Sequence, residues 1–330
     1  MTMALPLALN RHEIGVLARA VSRAPSVHNT QPWELVLRDT AVDLLQRKPA
    51  TLRIHDPEGR DRLLSCGAAS ADLRLAVRSL GRAATLDFAD AGDVVATVAI
   101  GDRARAVRAE LALYHAIGRR RSYRRQFSPD TVPSRLRAAV AAAGTQHGVR
   151  VGEPRDIEAF AGMLGHATLA FRQDHAYQRE LAVWTAHTFG RHALGASDGI
   201  PEDALSAEAL PVAGLIRGDT PVPDDSVLAA RLRAESLIFL CTATDTRRDH
   251  LSAGYALQLA WLTATSEGLA GSVITQPLHL AGFRERLAER LELPGLPQAI
   301  FRFGHPAGPS PPSPRSPLGE LFPDKPLGGT

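Results

Sequence analysis

The sequence predicts an α+β protein assembled from two related halves within one chain. Three observations carry this. Helical segments rich in small apolar residues alternate with short β-branched runs. A 22-residue stretch recurs: Arg62–Ala83 (RLLSCGAASADLRLAVRSLGRA) and Asp249–Ala270 (DHLSAGYALQLAWLTATSEGLA) align without gaps. They agree at 8 positions: Leu64/Leu251, Ser65/Ser252, Gly67/Gly254, Ala69/Ala256, Leu75/Leu262, Ser79/Ser266, Gly81/Gly268 and Ala83/Ala270. In a chain so rich in alanine and leucine, unrelated segments would share roughly two or three. Finally, each copy is later followed by a strand ending in glycine, at Gly101 and Gly304.

The elements follow in order. Asn10 with Glu13 three residues on forms a capping-box start, and Ile14, Leu17, Ala18 and Val21 keep helical spacing until Pro25. Trp33–Arg38 and Val42–Gln46 read as short strands. A helix over Arg60–Leu80 closes at Gly81, where a C-terminal glycine belongs. Val94–Ile100 is a buried strand by its β-branched apolar run. Helices follow at Arg103–Ile117, Ser134–Ala143, Asp156–Gln173 and Tyr177–Phe189. Gly190–Asp225 is punctuated by five glycines and four prolines, and reads as a lid or long loop. Ser236–Thr242 is a strand, His250–Glu267 a long helix and Gln298–Phe303 a last strand. Pro306–Pro326 is an extended proline-rich tail. The expected division is an N-terminal half, 1–117, a C-terminal half, 118–305, carrying the lid at 190–225, and the tail, 306–330.

Composition excludes several classes. An apolar fraction of 45% with 22% charged residues is ordinary for a globular chain and excludes wholesale disorder. Of the 38 basic residues only Lys48 and Lys325 are lysine, leaving 36 arginines, yet 35 acidic residues hold the net charge to +3. Binding of nucleic acid by bulk charge is therefore not expected. Cys66 and Cys241 read as small buried hydrophobes and preclude a four-cysteine metal site. The start MTMALPLALN lacks a basic region, and Ala253–Gly271 is interrupted by Gln258, Ser266 and Glu267. Neither a secretory leader nor a membrane span is expected, and the protein reads as cytoplasmic. His166, His175, His187 and His192 fit no ligand spacing, so no metal site is expected.

Two segments carry chemistry. Arg119–Phe127 (RRRSYRRQF) holds five arginines with Ser122 among them, directly after a helix-ending glycine. Guanidinium forks and a hydroxyl can surround one phosphate; the alternatives are a solvated charged loop or a nucleic-acid contact. Ala24–Trp33 (APSVHNTQPW) places Ser26, Asn29 and Gln31 between a helix and a strand. Amides that both donate and accept suit the edge of a flavin or purine; the alternative is an ordinary turn.

Ala24–Trp33 resembles the PSxxNxQPW segment of the FMN-dependent nitroreductase superfamily, and Arg120-x-Ser122-x-Arg124 resembles its phosphate-binding R-x-S-x-[RK] segment. The helix His250–Gly268 with Leu269–Ser272, and the closing Gln298–Pro306, are similar to its core. In ordinary members the phosphate segment precedes the PSxxNxQPW segment within one half; here the order is reversed and about 90 residues separate them. With Asp198–Pro201 (DGIP) in the lid, the layout is similar to the Acg-like branch of that superfamily. Phe127 lies five residues after Ser122 where many members have four, a departure that lengthens the phosphate loop.

The resemblance implies a nitroreductase-like fold: two fused half-repeats, each a small mainly antiparallel sheet with helices, forming an intramolecular pseudo-dimer. It implies FMN between the halves, with Arg120, Ser122, Arg124 and Arg315 at its phosphate. Pro25, Ser26, Val27, His28, Asn29 and Gln31 would lie along its ring, and Gly271 and Ser272 near its reactive edge. The mirror site, around Gly148–Arg155, should be empty. Flavin then carries electrons from NAD(P)H to a small nitro- or quinone-like substrate with no obligatory catalytic side chain. The alternative is an FMN-sequestering protein whose lid, with Trp184 or Phe189, lies closed and prevents turnover. Either form would be a monomeric pseudo-dimer or a weak homodimer.

Overall fold

The computed structural model describes residues 9–47, 52–185, 198–200, 210–211 and 216–323. Most of the lid, 190–197, 201–209 and 212–215, lies outside these residues, as does Phe189. Asn10 caps α1 (Arg11–Val21) through the capping box its sequence announces. Then come β1 (Trp33–Leu37), β2 (Ala41–Gln46), α2 (Arg60–Ser79), β3 (Arg82–Phe88), β4 (Val94–Arg103) and α3 (Arg108–Ile117). The second half repeats the plan with α4 (Ser134–Ala143), β5 (Arg150–Gly152), α5 (Ile157–Gln173), α6 (His175–Thr185), α7 (Asp225–Arg233), β6 (Ser236–Thr242), α8 (Arg247–Ser266), β7 (Ala270–Ile274), α9 (Phe283–Arg290) and β8 (Leu296–Gly304).

Two four-stranded sheets result, in the orders β1-β2-β4-β3 and β5-β6-β8-β7, antiparallel throughout. In each, the long helix follows the second strand and leads into an edge strand, so the two halves share one topology. The segment 153–235, with α5, α6, the lid and α7, is an insertion between β5 and β6 of the second half. Strands β3, β5 and β7 and helices α7 and α9 escape the sequence reading. β5 has only three residues, β3 begins directly after Gly81 and β7 two residues after Gly268, with no further turn signal between.

The repeated sequence does the same physical work twice. Gly81 and Gly268, equivalent in the alignment, both take positive φ (73° and 81°) and turn the chain out of α2 and α8. Ser79 and Ser266 each return a hydroxyl hydrogen bond to the carbonyl three residues back. The long helices pack against each other at the centre of the molecule and are buried on nearly every side. A Cβ on Gly67 would stand 2.1 Å from the Leu251 oxygen, and one on Gly254 would stand 1.9 Å from the Leu64 oxygen. Leu64 and Leu251 are themselves equivalent, so the contact is reciprocal, as across the two-fold axis of a symmetric dimer.

Leu251, Tyr255, Leu259 and Leu262 of α8 complete the core beneath the first sheet, and Leu64 of α2 enters the core beneath the second. Each half thus lends a helix face to the other. The tail does not hang free. It crosses back over the first half, where Leu321 is buried beside α1 and β1. Cys66 and Cys241 are buried and free; burial pushes both thiols up to about 12.

Candidate functional site

A cleft opens between α2 and α8, with a closed part of about 60 Å³. Pro25, Ser26 and Val27 of the first half line it, and Ser122 and Arg124 of the second half face them. Asp61, Leu64, Ser65 and Ala68 of α2, Leu257 of α8, and Val273 and Thr275 at the end of β7 complete the walls. Two segments about 90 residues apart in sequence therefore meet across one cavity. The small residues of the long helices give it room: Ala68 and Ser65 occupy a helix face where leucines would fill the space.

The loop 25–32 is held rigidly. Val27 N–H donates to Ser65 Oγ at 3.1 Å, and that hydroxyl donates to Asp61 O at 2.7 Å. Gln31 N–H donates to Ser26 Oγ and Asn29 N–H to Ser26 O, both at 3.0 Å. Three non-glycine residues here, His28, Asn29 and Gln31, take φ of 45°, 58° and 47°. Such left-handed geometry costs of order 1–3 kcal/mol per residue and concentrates at functional sites.

Asn29 and Gln31 turn away from the cleft to grip the tail. Asn29 Nδ2 donates to Pro314 O at 3.0 Å, and Ser316 N–H donates to Gln31 Oε1 at 3.0 Å. Arg315 lies between them and donates to Ala24 O, Arg23 O and Asn29 Oδ1. The amides that by type suit a ligand edge thus serve as clamps for the C-terminal strap. His28 is buried behind the loop, its ring 4.8 Å from that of His55.

Ser122 to Phe127 lie along the second sheet. Ser122 bridges to Gly271, Tyr123 N–H donates to Gly271 O at 2.8 Å, and Phe127 bridges to Pro306. Gly271 has no room for a side chain, because a Cβ would meet the Phe301 ring at 2.5 Å. Ser272 faces inward and accepts from Arg302. Gly271 and Ser272 therefore position the arginine loop and do not line the cleft.

Arg302 is the residue that reading the sequence missed. It is fully buried in β8, ion-paired with Glu235, and donates to Tyr123 O and Arg125 O, both at 3.1 Å. Its guanidinium also sits 4.3 Å from the centre of the Phe127 ring. One arginine thus fixes the loop that presents Ser122 and Arg124. The signal was legible in QAIFRFG: a charge inside an unbroken apolar strand must have a buried partner.

Arg120 is 3% exposed and stacks 4.6 Å from the Trp261 ring centre, behind the cleft wall, with one bond to Arg23 O. Its Nε and Nη1 are buried without a hydrogen-bond partner among the described residues. Burial, aided by Arg315, pushes Arg120 down to about 9; burial pushes Arg124 and Arg315 down to about 10. The nearby carboxyl is Asp72, which burial raises to about 7 while it accepts from Gln258 at 2.8 Å. Arg120 and Arg315 thus lie desolvated beside one weakly charged carboxyl, and Arg124 is desolvated at the cleft wall.

Burial, and then the charge of His55, hold His28 well below the ordinary histidine value of 6.5. Above that pH the ring is neutral in both states. Below it the unfolded chain takes up a proton that the folded one refuses, so stability falls as pH drops toward the folded value. His28→Asn, which also suits left-handed φ, should flatten the loss of urea midpoint between pH 7.5 and 5. An unchanged slope would mean that the acid sensitivity lies elsewhere.

The nitroreductase family model matches residues 226–305, the span from α7 to the end of β8. The Mycobacterium tuberculosis protein named "Putative NAD(P)H nitroreductase Rv3131" is 33% identical, covering 96% of this chain and 94% of that one. A second M. tuberculosis protein, "Putative NAD(P)H nitroreductase acg", is 30% identical over 91% of this chain and 92% of its own. Among solved structures, the FMN-dependent nitroreductase NfnB from Mycobacterium smegmatis in complex with NADPH superposes with a TM-score of 0.41 at 18% identity, covering 65% of this chain and 98% of that one. Among the described residues no helix is long and apolar enough to cross a membrane.

Proposed function

This chain belongs to the nitroreductase family, and from that premise we propose that it is an oxidoreductase binding one FMN in the cleft between α2 and α8. Electrons would pass from NAD(P)H to a small electron-poor substrate of the nitro or quinone type. The observation that carries the reading is the meeting of Pro25–Val27 with Ser122 and Arg124 across that cleft, beside arginines short of negative charge. A phosphate fits these donors: Ser122 and Arg124 would hold it from the cleft wall. Arg120, with two unused buried N–H groups, would add its charge from behind. Flavin, when bound, supplies hydride transfer.

The chain's own work is to place and shield that group. Pro25, Ser26 and Val27 would set one face against it, with their backbone already tied to Ser65 and so not reorganised on binding. Leu257 and Val273 would exclude water from the ring. Arg315 and the strap would hold loop 25–31 in its strained form. The halves divide at 117/118, with the tail from 306 as a strap. The connection from α4 to β5 runs only over residues 144–149, where the first half has the longer loop 22–32. We therefore assign one site per chain and a pseudo-dimer working as a monomer or weak homodimer. Its two free, buried cysteines suit a reducing cytoplasm.

Arg120→Ala with Arg124→Ala should yield a folded, colourless protein, read by absorbance and circular dichroism; stoichiometric flavin in that variant would sink the phosphate assignment. Anaerobic mixing of the flavin-loaded protein with NADPH should bleach the flavin. Flavin reducible by dithionite and not by NADPH or NADH would establish sequestration instead.

A further inference from the structure

At Asp61, on the wall of the cleft, three side chains from distant parts of the chain converge. His55 lies in the turn before α2, Asp61 in the first turn of α2, and His279 in the short 3-10 turn Gln276–His279 that follows β7. His55 Nε2 stands 3.3 Å and His279 Nε2 3.1 Å from the same Asp61 Oδ2, and the ligand atoms all lie within 4.8 Å of one another. His55 and Asp61 are 4% and 2% exposed. None of the three belongs to the histidine group that the sequence brings together between 166 and 192.

Protons alone do not satisfy this arrangement. Arg60 Nη2 approaches His279 Nε2 at 3.3 Å while also pairing with Asp61 Oδ1 at 3.0 Å. If His279 Nε2 carries its lone pair, it suits Arg60 but then faces the Asp61 oxygen, acceptor against acceptor. If it carries the proton, it suits Asp61 but then faces an Arg60 N–H, donor against donor. A cation between His279 and Asp61 turns the acceptor-against-acceptor contact into two ligand bonds, while Arg60 keeps its ion pair with Asp61 Oδ1 and, at 2.8 Å, its bond to Gln298 O. The two distances to Asp61 suit one, since ligands bound tetrahedrally at 2.0–2.1 Å stand about 3.4 Å apart, and the two imidazoles, within 4.8 Å of each other, would close on the ion.

The surroundings point the same way. Asp56, which accepts from the N–H groups of Asp61 and Arg62, adds a second buried carboxyl against the single Arg60 guanidinium. Thr275 Oγ1 donates to Asp61 Oδ2 at 2.5 Å and fixes the carboxylate's orientation.

We propose that His55, Asp61 and His279 form a site for one divalent transition-metal ion of the zinc class, joining the two halves at the wall of the cleft. Two imidazoles and one carboxylate select such an ion over magnesium or calcium, and three protein ligands leave a position for water. The site needs no flavin and stands apart from the flavin assignment.

Tag-free protein, stripped with EDTA, incubated with zinc chloride and desalted, should retain one zinc per chain by elemental analysis. Cobalt should give a visible band of a tetrahedral or five-coordinate ion. His279→Gln and His55→Gln should each weaken zinc binding at least roughly 100-fold in a chelator competition, while the exposed His12→Gln leaves it unchanged. Zinc should also raise the melting temperature of the wild type and not of folded His279→Gln or His55→Gln, which separates lost binding from lost structure. Retention below about 0.1 zinc per chain in the wild type, or equal retention in both variants, overturns the proposal.

Discussion

Gly254→Ala should cost about 3 kcal/mol or more of folding stability, and Gly67→Ala about as much, because each new methyl group meets a backbone carbonyl on the facing helix. A contact of 1.9 or 2.1 Å cannot be relieved by rotating a side chain; α2 and α8 must move apart. That separation would open both cores at once, since each helix supplies residues to the opposite half. Against a typical total of 5–15 kcal/mol, either change leaves a marginal protein, and the pair should not fold. Gly81→Ala is the control. Its Cβ would meet nothing within 4 Å, so only the positive φ is penalised, at about 1 kcal/mol. Urea unfolding of the three variants is the measurement. A Gly254→Ala midpoint no lower than that of Gly81→Ala would refute the central helix contact as drawn.

Arg302→Met should be the second severe change, at about 3–5 kcal/mol, because it strands Glu235 as an uncompensated buried carboxylate. It also removes the donors to Tyr123 O and Arg125 O. Two effects are therefore joined, and a second variant parts them. Arg302→Met with Glu235→Leu removes both charges and should recover most of the stability. The loop bearing Ser122 and Arg124 would stay unanchored, so anion and flavin affinity should remain low in the double variant. If the double variant regains full flavin binding together with its stability, Arg302 serves the fold alone and does not position the site.

The legibility of this protein in its sequence followed the range of each interaction. The capping box at Asn10, the helix Ser134–Ala143 and the strand Ser236–Thr242 rest on contacts a few residues apart, and their boundaries appear in the sequence as they stand in the structure. The repeat was visible because fusing two copies preserves the residues at the former symmetry axis, and Gly67 with Gly254 shows why those cannot change. Strands β3 and β7 were hidden by the absence of any turn residue beyond the glycine that ends each long helix. The tail read as extended chain because nothing local reveals that Leu321 finds a core or that Arg315 finds Ala24 O.

For the site, the sequence by itself determined which residue types stood ready: a serine among arginines at 119–127, a polar loop at 25–31, and small residues along two related helices. Only the tertiary structure decided which of them share a cavity. It brought Ser122 and Arg124 to Pro25–Val27, turned Asn29 and Gln31 to the strap, set Arg120 against a tryptophan, and gathered His55, Asp61 and His279 from positions 224 residues apart in the chain. The reason is physical. Helix and turn preferences are settled within a few residues, whereas the direction a side chain takes depends on which neighbour can satisfy its hydrogen bonds once water is gone, and that neighbour is fixed by the packing of one half upon the other.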